Sequence, residues 1–146
     1  MASTAIVVPD EGVQQMLNIL FIATAVKATL TLRLFANNYT PIQASTRTSF
    51  TEATGGGYSA ITLTRGTNWV YSAGTPPVVV YLVGSPSTFT FTGALTTNAT
   101  VYGYYVDDGT YCWWAQLLNA AFTPANNGDN IVITPALQMS SGTPSG

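Results

Sequence analysis

VYGYYVDDGTYCWWAQLL, from Val101 to Leu118, is a dense run of aromatic side chains with a clear turn signal at its centre. Asp108-Gly109 is a dipeptide that tolerates the positive φ angles of a tight two-residue turn, and aromatic and β-branched residues flank it on both sides. The stretch therefore predicts a β-hairpin around which the rest of the fold is arranged.

The predicted two-residue turn also sets the register of this hairpin. It places Tyr104 opposite Trp113 and Gly103 opposite Trp114, where the missing glycine side chain leaves room for an indole. Strand alternation then leaves both faces of the hairpin mostly apolar. We expect it to lie centrally in a sheet, with one face in the core and the other against a second layer or another subunit.

The rest of the chain predicts eight or nine short strands after one helix. Leucines alternate with polar residues from Thr29 to Leu34, and Phe89 and Phe91 alternate with threonines. VVVYLV, residues 78–83, predicts a fully buried strand or an oligomer seam, and Thr46 to Ala53 predicts a weaker extended segment. Frequent turns between strands predict an all-β fold, an antiparallel β-sandwich with a jelly roll as the favoured topology. An immunoglobulin-like sandwich is the competing topology, although the paired cysteines of true immunoglobulin domains are absent.

The N-terminal part has a different pattern. MASTAIVVP, residues 1–9, predicts an extended arm, and Asp10 is a candidate N-cap for an amphipathic helix from Glu11 to about Ile22. We consider two alternatives: the helix packs on the sheet of its own domain, or the arm and the helix together anchor the domain to a partner. We therefore divide the chain into an arm and short helix (1–26), a β-sandwich domain (27–139) and a tail (140–146) with the composition of a disordered end.

Charged residues form only 7% of the chain, against about 25% in an average soluble domain, and the formal net charge is -2. So little charge leaves weak repulsion between copies, which favours a permanent assembly. Four basic residues are too few for a basic stripe that would bind duplex nucleic acid. The most apolar stretch, Met16 to Val26, is too short to span a bilayer, and no signal-peptide pattern begins the chain, so we expect no membrane association and no export.

The residues available for catalysis are few. The chain has no histidine and a single cysteine, Cys112, which excludes the usual triads and ordinary zinc sites. We interpret Cys112 as a small buried apolar residue. Asp107 and Asp108 are interpreted as turn-forming residues that strand alternation points apart, and Gly55 to Gly57 as a turn rather than a phosphate loop. The sequence predicts no enzyme, no cofactor and no metal site.

An alternative function rests on the aromatic side chains. Tryptophans and tyrosines of the hairpin, together with Trp69, could form a platform that stacks on sugar rings. Such a platform would make the protein a carbohydrate-binding module. Strand alternation nevertheless turns half of these side chains toward the core.

Five segments in succession carry a resemblance to a known group of proteins: IVVPDEG, LTLRLFANNYTP, SFTEATGGGYSAITLTR, FTFTGALTTNATVYGYYVDDGTYCWWAQ and GDNIVITPALQMS. From Ile6 to about Ser140 the chain resembles small virion proteins of tailed bacteriophages, including phages of cyanobacteria. The resemblance implies a capsid cement or decoration protein, synthesised in the host cytoplasm and bound as a homotrimer to the outer surface of the head. Its partners would be copies of itself and the phage major capsid protein. The alternative role is a tail-tip or fibre module that binds host surface glycans through exposed aromatic side chains.

The capsid or oligomer interface is predicted from the arm, the β-branched run and the aromatic hairpin. Its candidate residues are Ile6, Val7, Val8, Val79, Tyr81, Tyr102, Tyr104, Trp113 and Trp114.

Overall fold

The computed structural model describes residues 6–22, 25, 27–73, 79–96 and 98–140, with the side chains of 70–73, 79–83 and 138–140 outside that description. One helix, α1 (Asp10–Phe21), precedes nine strands in these residues. The strands are β1 (Thr29–Phe35), β2 (Ile61–Thr64), β3 (Trp69–Ala73), β4 (Val79–Gly84), β5 (Ser87–Thr90), β6 (Val101–Asp107), β7 (Cys112–Phe122), β8 (Asn130–Ile133) and β9 (Ala136–Ser140). A 3-10 turn, Arg47–Ser49, lies between β1 and β2.

All strand pairs are antiparallel, and they form three sheets in the order β2-β1-β6-β7, β3-β4-β9 and β5-β8. The prediction of a mostly β, antiparallel protein with one N-terminal helix is therefore confirmed. In the described residues the three sheets remain separate and do not close on one another.

Two apolar clusters lie on opposite faces of the four-stranded sheet, because successive side chains of a strand point to opposite sides. The main core contains the leucines of β1, Val106, Trp114 and the phenylalanines at 89 and 91. The second cluster contains Tyr105, Cys112, Ala115 and Phe50. The hairpin is thus apolar and covered on both faces, as predicted, and residues of this same chain supply the cover.

Several strand predictions are confirmed. β1 alternates between buried leucines and more exposed threonines and arginine, and β5 buries Phe89 next to exposed threonines. The C-terminal end of the β-domain forms two of the short strands, β8 and β9, which Thr134 and Pro135 separate. These strands follow the pattern of their sequence because each turns only one of its two faces toward the core.

The register of the central hairpin differs from the prediction. Val106 lies opposite Trp114 and not Tyr111, a shift of three residues along β7. The connection runs from 108 to 111, and Asp108 closes it by accepting bonds from the amides of Thr110 and Tyr111 at 2.9 and 2.8 Å. An aspartate that caps its own loop therefore replaces the predicted two-residue turn.

The shifted register also changes which side chains share a face. Gly103 lies opposite Leu117, and a Cβ there would come within 2.4 Å of the Phe35 ring, so a phenylalanine and not an indole fills the space. A bulge between Asp107 and Val106 leaves Trp113 as the extra residue of β7. Both tryptophans consequently pack against the main core, although strict alternation places them on opposite faces.

Two further predictions are wrong. The segment from Thr46 to Ala53 contains the 3-10 turn, and only Glu52 pairs as in a sheet, through a single bridge to Phe35. Asp10 is the first residue of α1 and not its N-cap, a position held by Pro9 without a side-chain cap. Pro9 has the extended backbone that an N-cap needs, with φ -64° and ψ 160°.

Candidate interaction surface

The first turn of α1 is held to the sheet by Glu11. One carboxylate oxygen accepts bonds from the backbone amides of Arg47, at 2.7 Å, and Cys112. The amide of Asp10 donates to the carbonyl of Gln43 at 2.9 Å. Three parts of the chain that are distant in sequence therefore meet at one carboxylate.

Gly12 is buried where α1 crosses β7. A Cβ at this position would come within 2.3 Å of the carbonyl oxygen of Trp113. Backbone atoms cannot move aside as a flexible side chain does, so only glycine allows this approach of helix to strand. Helix α1 thus packs on its own sheet at its N-terminal end, the first of the two predicted alternatives.

The candidate interface residues of the arm also contact their own domain. Val7 forms an antiparallel bridge with Ala115, with two backbone bonds of 2.9 Å. Ile6 and Val8 pack against the main core and are half-buried. An extended arm can pair with a sheet edge of its own domain or with a neighbour, and here Val7 pairs with the edge strand β7 of this chain.

The C-terminal end of α1 is exposed and apolar. Leu20, Phe21 and Ile22 keep 71%, 79% and 70% of their surface accessible, and Val13 and Leu17 are also exposed. Val13, Leu17, Leu20 and Phe21 recur at helical spacing along one side of α1, and Ile22 follows directly after the helix. An apolar face of this kind is rare on an isolated soluble domain and is typical of an interaction surface.

An apolar groove of about 640 Å³ lies between α1 and the sheets. Its helix side is formed by Val13, Met16, Leu17, Ile19 and Leu20, and its opposite side by Leu30, Trp69, Trp113, Trp114 and Leu137. Lys27 and Arg65 are the charged residues that line it. Concave sites of this size and composition bind small molecules or apolar segments of other proteins.

The buried face behind Glu11 contains an ionic cluster that the sequence did not indicate. Asp107, fully buried, pairs with Arg33 at 2.7 Å and with Arg47 at 3.3 Å, and Arg33 also holds Glu52 at 2.8 Å. The Arg47 contact is an ion pair without hydrogen-bond geometry, and Arg47 Nε has no hydrogen-bond acceptor in the part of the chain that the structure describes. Asp107 is a turn residue, as interpreted, since its Oδ1 accepts a bond from the amide of Gly109 at 2.7 Å, but it also joins β1, β6 and the 3-10 turn.

The pKa shifts around this cluster favour a structural role. Burial lowers the pKa of Arg33, but the hydrogen bond to Glu52 and the charges of Asp107 and Glu52 outweigh it, and the net shift is upward. Burial raises the pKa of the Tyr105 hydroxyl and of the Cys112 thiol. Cys112 is fully buried and stays protonated at neutral pH, so its interpretation as a packing residue is confirmed.

Two of the aromatic interface candidates lie in the interior of the domain. Trp114 is 1% exposed and Tyr104 is 4% exposed, and the Tyr104 hydroxyl donates to Gln116 at 2.6 Å. Including them in an interface was wrong, because a folded partner would not reach them. Trp69 packs edge-on against Trp114, with ring centroids 5.6 Å apart and planes at 72°, so these two rings form no flat platform for a sugar.

The remaining candidates differ in accessibility. Tyr102 is half-buried against the second cluster, and Trp113 is half-buried at the groove. Val79 and Tyr81 lie in β4, but their side chains are outside the described part of the structure. Trp113 is the only predicted interface residue of the hairpin that lines the groove with an accessible side chain.

Arm and helix together were one predicted anchor, but no individual residue of α1 was among the predicted interface residues. Its exposed apolar positions have a clear sequence signal, the helical spacing of Val13, Leu17, Leu20 and Phe21, but the pattern does not say which face meets the sheet. Glu11 gave no signal, because its partners lie 36 and 101 residues away.

In the described part of the chain, no group of three or more cysteine, aspartate or glutamate side chains could hold a metal ion. Nor does any helix described there have the length and apolar content needed to cross a bilayer. No known protein family, curated protein or solved structure matches this chain.

Proposed function

We propose that this chain is a non-enzymatic virion structural protein, a cement or decoration protein that binds the outer surface of a tailed-phage head as a homotrimer and stabilises contacts between capsomers. Its partners are other copies of itself and the major capsid protein. The low charge content and the resemblance of the segments from Ile6 to about Ser140 support this role.

The observation that carries the proposal is the exposed apolar end of α1. Leu20, Phe21 and Ile22 adjoin one another, and each has at least 70% of its surface accessible. Burying such side chains on a partner gains about 25 cal/mol for each Å² removed from water. Repeated at many positions of a closed shell, a contact of modest area becomes a large stabilisation.

The same proposal includes a jelly-roll arrangement of the β-domain. The main core lies on one face of the four-stranded sheet and includes Phe89 and Ile133 from the β5-β8 pair. This layering supports a sandwich, in which sheets from two layers share one core. A trimer would cover apolar surface that a monomer leaves exposed.

The first experiment locates the protein in the particle. Antibody raised against this chain is applied to intact virions, and gold-labelled secondary antibody is observed by negative-stain electron microscopy. Gold over the head is the expected result. Gold confined to the tail tip would contradict the cement role and favour glycan binding, and absence of gold would contradict a virion role altogether.

The second experiment tests the surface on α1. Heads that lack the protein are incubated with the purified wild type or with Phe21→Ser/Ile22→Ser. The variant is expected to lose most of its occupancy, because it removes exposed apolar area without touching the core. Val132→Ser is the matched control, since Val132 is an exposed apolar residue in β8. Equal occupancy for wild type and the α1 variant would refute the role of α1.

A further inference from the structure

The groove between α1 and the sheets has properties of a small-molecule site in addition to its apolar walls. Its volume of about 640 Å³ lies within the range of ligand-binding clefts, about 300 to 1,000 Å³. Trp69 and Trp113 line it with half-buried rings. A long alkyl chain can contact side chains from both walls at once.

Two of the chain's four basic residues line this groove. The amide of Arg65 donates to the carbonyl of Ala28 at 3.0 Å, which places Arg65 beside the residue that follows Lys27. Both cations therefore lie at the same end of the groove, where β1 begins and β2 ends. Away from this end, the walls of the groove are formed by apolar side chains.

The charged groups of Lys27 and Arg65 have no partner within the described structure. Neither side chain forms an ion pair or hydrogen bond there, whereas Arg33 and Arg47 both pair with carboxylates. Both residues are exposed, so the charges cost little while the groove is open. A pair of free cations beside an apolar cleft complements an anion that carries an alkyl chain.

The tryptophans of the groove add a second polar feature. The indole Nε1 atoms of Trp113 and Trp114 are buried and have no hydrogen-bond acceptor among the described residues, and Trp114 is 1% exposed. Buried donors without partners are rare in native domains. Because the tryptophans line the part of the groove that would hold the alkyl chain, these donors do not select the head group, which the charges of Lys27 and Arg65 select.

From these observations we infer that the groove binds a single-chain amphiphile with an anionic carboxylate head group, with the alkyl chain between α1 and the tryptophans and the carboxylate at Lys27 and Arg65. The inference does not depend on the proposed capsid role. It commits to a free fatty-acid-like molecule, and the apolar segment of a second copy is the competing occupant.

The test uses the purified full-length chain and three probes at concentrations below micelle formation: dodecanoate, dodecanol and dodecyltrimethylammonium. Calorimetry measures affinity, and quenching of tryptophan fluorescence reports contact with the rings. Dodecanoate is expected to bind at about one molecule per chain, with dodecanol about tenfold weaker since it lacks the charge contacts. Each methylene added between octanoate and dodecanoate should raise the affinity about fourfold.

Variants distinguish the groove from general adsorption. Lys27→Gln/Arg65→Gln should weaken dodecanoate binding about tenfold and leave dodecanol unchanged. Lys27→Arg/Arg65→Lys keeps both charges and should bind dodecanoate like the wild type. Phe21→Ser alters an exposed apolar residue that does not line the groove and should leave both affinities unchanged.

Three outcomes would overturn the inference. They are dodecanoate binding no tighter than dodecanol, an unchanged affinity in the double glutamine variant, and no binding of any probe. In the last case, sedimentation of the chain as an oligomer that Leu17→Asp dissociates would assign the groove to a second copy.

Discussion

At the N-terminal turn of α1, Glu11 bonds to two backbone amides and Gly12 lies against the carbonyl of Trp113, whereas at the other end Leu20, Phe21 and Ile22 face solvent. The first end has specific polar contacts that fix position and direction. The second has apolar area without a partner in the described structure. One helix of 12 residues therefore combines an end that is fixed by its own domain with an end available to another molecule.

This difference shows how a short helix is kept in place. A helix of this length is marginal alone in water, so its structure depends on tertiary contacts. Those contacts are concentrated in one turn, where the Glu11 carboxylate accepts bonds from two backbone amides outside the helix and a glycine permits close packing. Because the fixed end determines the direction of the helix, the exposed end can keep apolar residues that do not stabilise the isolated domain.

The largest expected effect is alkaline unfolding of the sheet to which the fixed end is attached. Burial raises the pKa of Tyr104 from 10.0 to about 12, and it also raises the pKa of Tyr105, Tyr58 and Cys112. A raised folded-state pKa gives stability that is fully present below the unfolded pKa and is lost as pH rises through the folded pKa. Tyr104 alone should lose about 2 to 3 kcal/mol between pH 10 and 12.

Together these groups should unfold the domain below pH 12, since whole domains are stable by only about 5 to 15 kcal/mol. Circular dichroism and tyrosinate absorbance, recorded during one alkaline titration, should change in a single joint transition. Tyr104→Phe should have a shallower decline of unfolding free energy with pH. If every tyrosine ionised smoothly without loss of structure, these hydroxyls would be accessible to water and the prediction would be wrong.

The next largest effect is expected from a substitution that removes the polar contacts of the fixed end. Glu11→Ala leaves the amides of Arg47 and Cys112 without their acceptor and should lower the free energy of unfolding by about 2 to 4 kcal/mol, measured by urea denaturation. Asp10→Ala is the matched control, because it removes the same charge from the same turn but its side chain has no hydrogen bond in the described residues. Similar losses in both variants would mean that Glu11 acts through helix charge alone.

Close packing at the fixed end is tested by adding a side chain. Gly12→Val places a Cβ within 2.3 Å of the Trp113 carbonyl and should cost about 1 to 3 kcal/mol as α1 moves away from β7. Gly93→Val is the control, since a Cβ at Gly93 has open space around it. Hydrogen exchange should show faster exchange in α1 for Gly12→Val only. Equal stability of the two variants would contradict the helix–strand contact.

The sequence predicted the elements whose pattern is local. The strands that contain Thr29 to Leu34 and Phe89 are recognisable by alternating apolar and polar residues, because each strand has one buried face. Helix α1 was also predicted, although its N-cap was wrong by one residue. These predictions need no knowledge of what lies across the sheet.

The contacts between distant segments could not be predicted in the same way. Asp108-Gly109 indicates a turn, but the bonds of Asp108 within the loop set its length, and that length shifts the register by three residues. The bulge at Trp113 then reverses the face expected for one tryptophan. Asp107 pairs with Arg33, 74 residues away, so its role depends on a fold that had to be known first.

The smallest effect on stability is expected at the exposed end of α1. A substitution there gives the sharpest test of the difference between the two ends of the helix. Phe21→Ser should change the free energy of unfolding by less than about 0.5 kcal/mol, because an exposed side chain has few contacts to lose. Leu30→Ser, at a buried position of the groove wall, should cost several times more. Thermal denaturation of both variants and the wild type measures the difference. If Phe21→Ser destabilises the isolated domain as much as Leu30→Ser does, the end of α1 is packed within the domain, and the apolar surface proposed to bind the capsid does not exist.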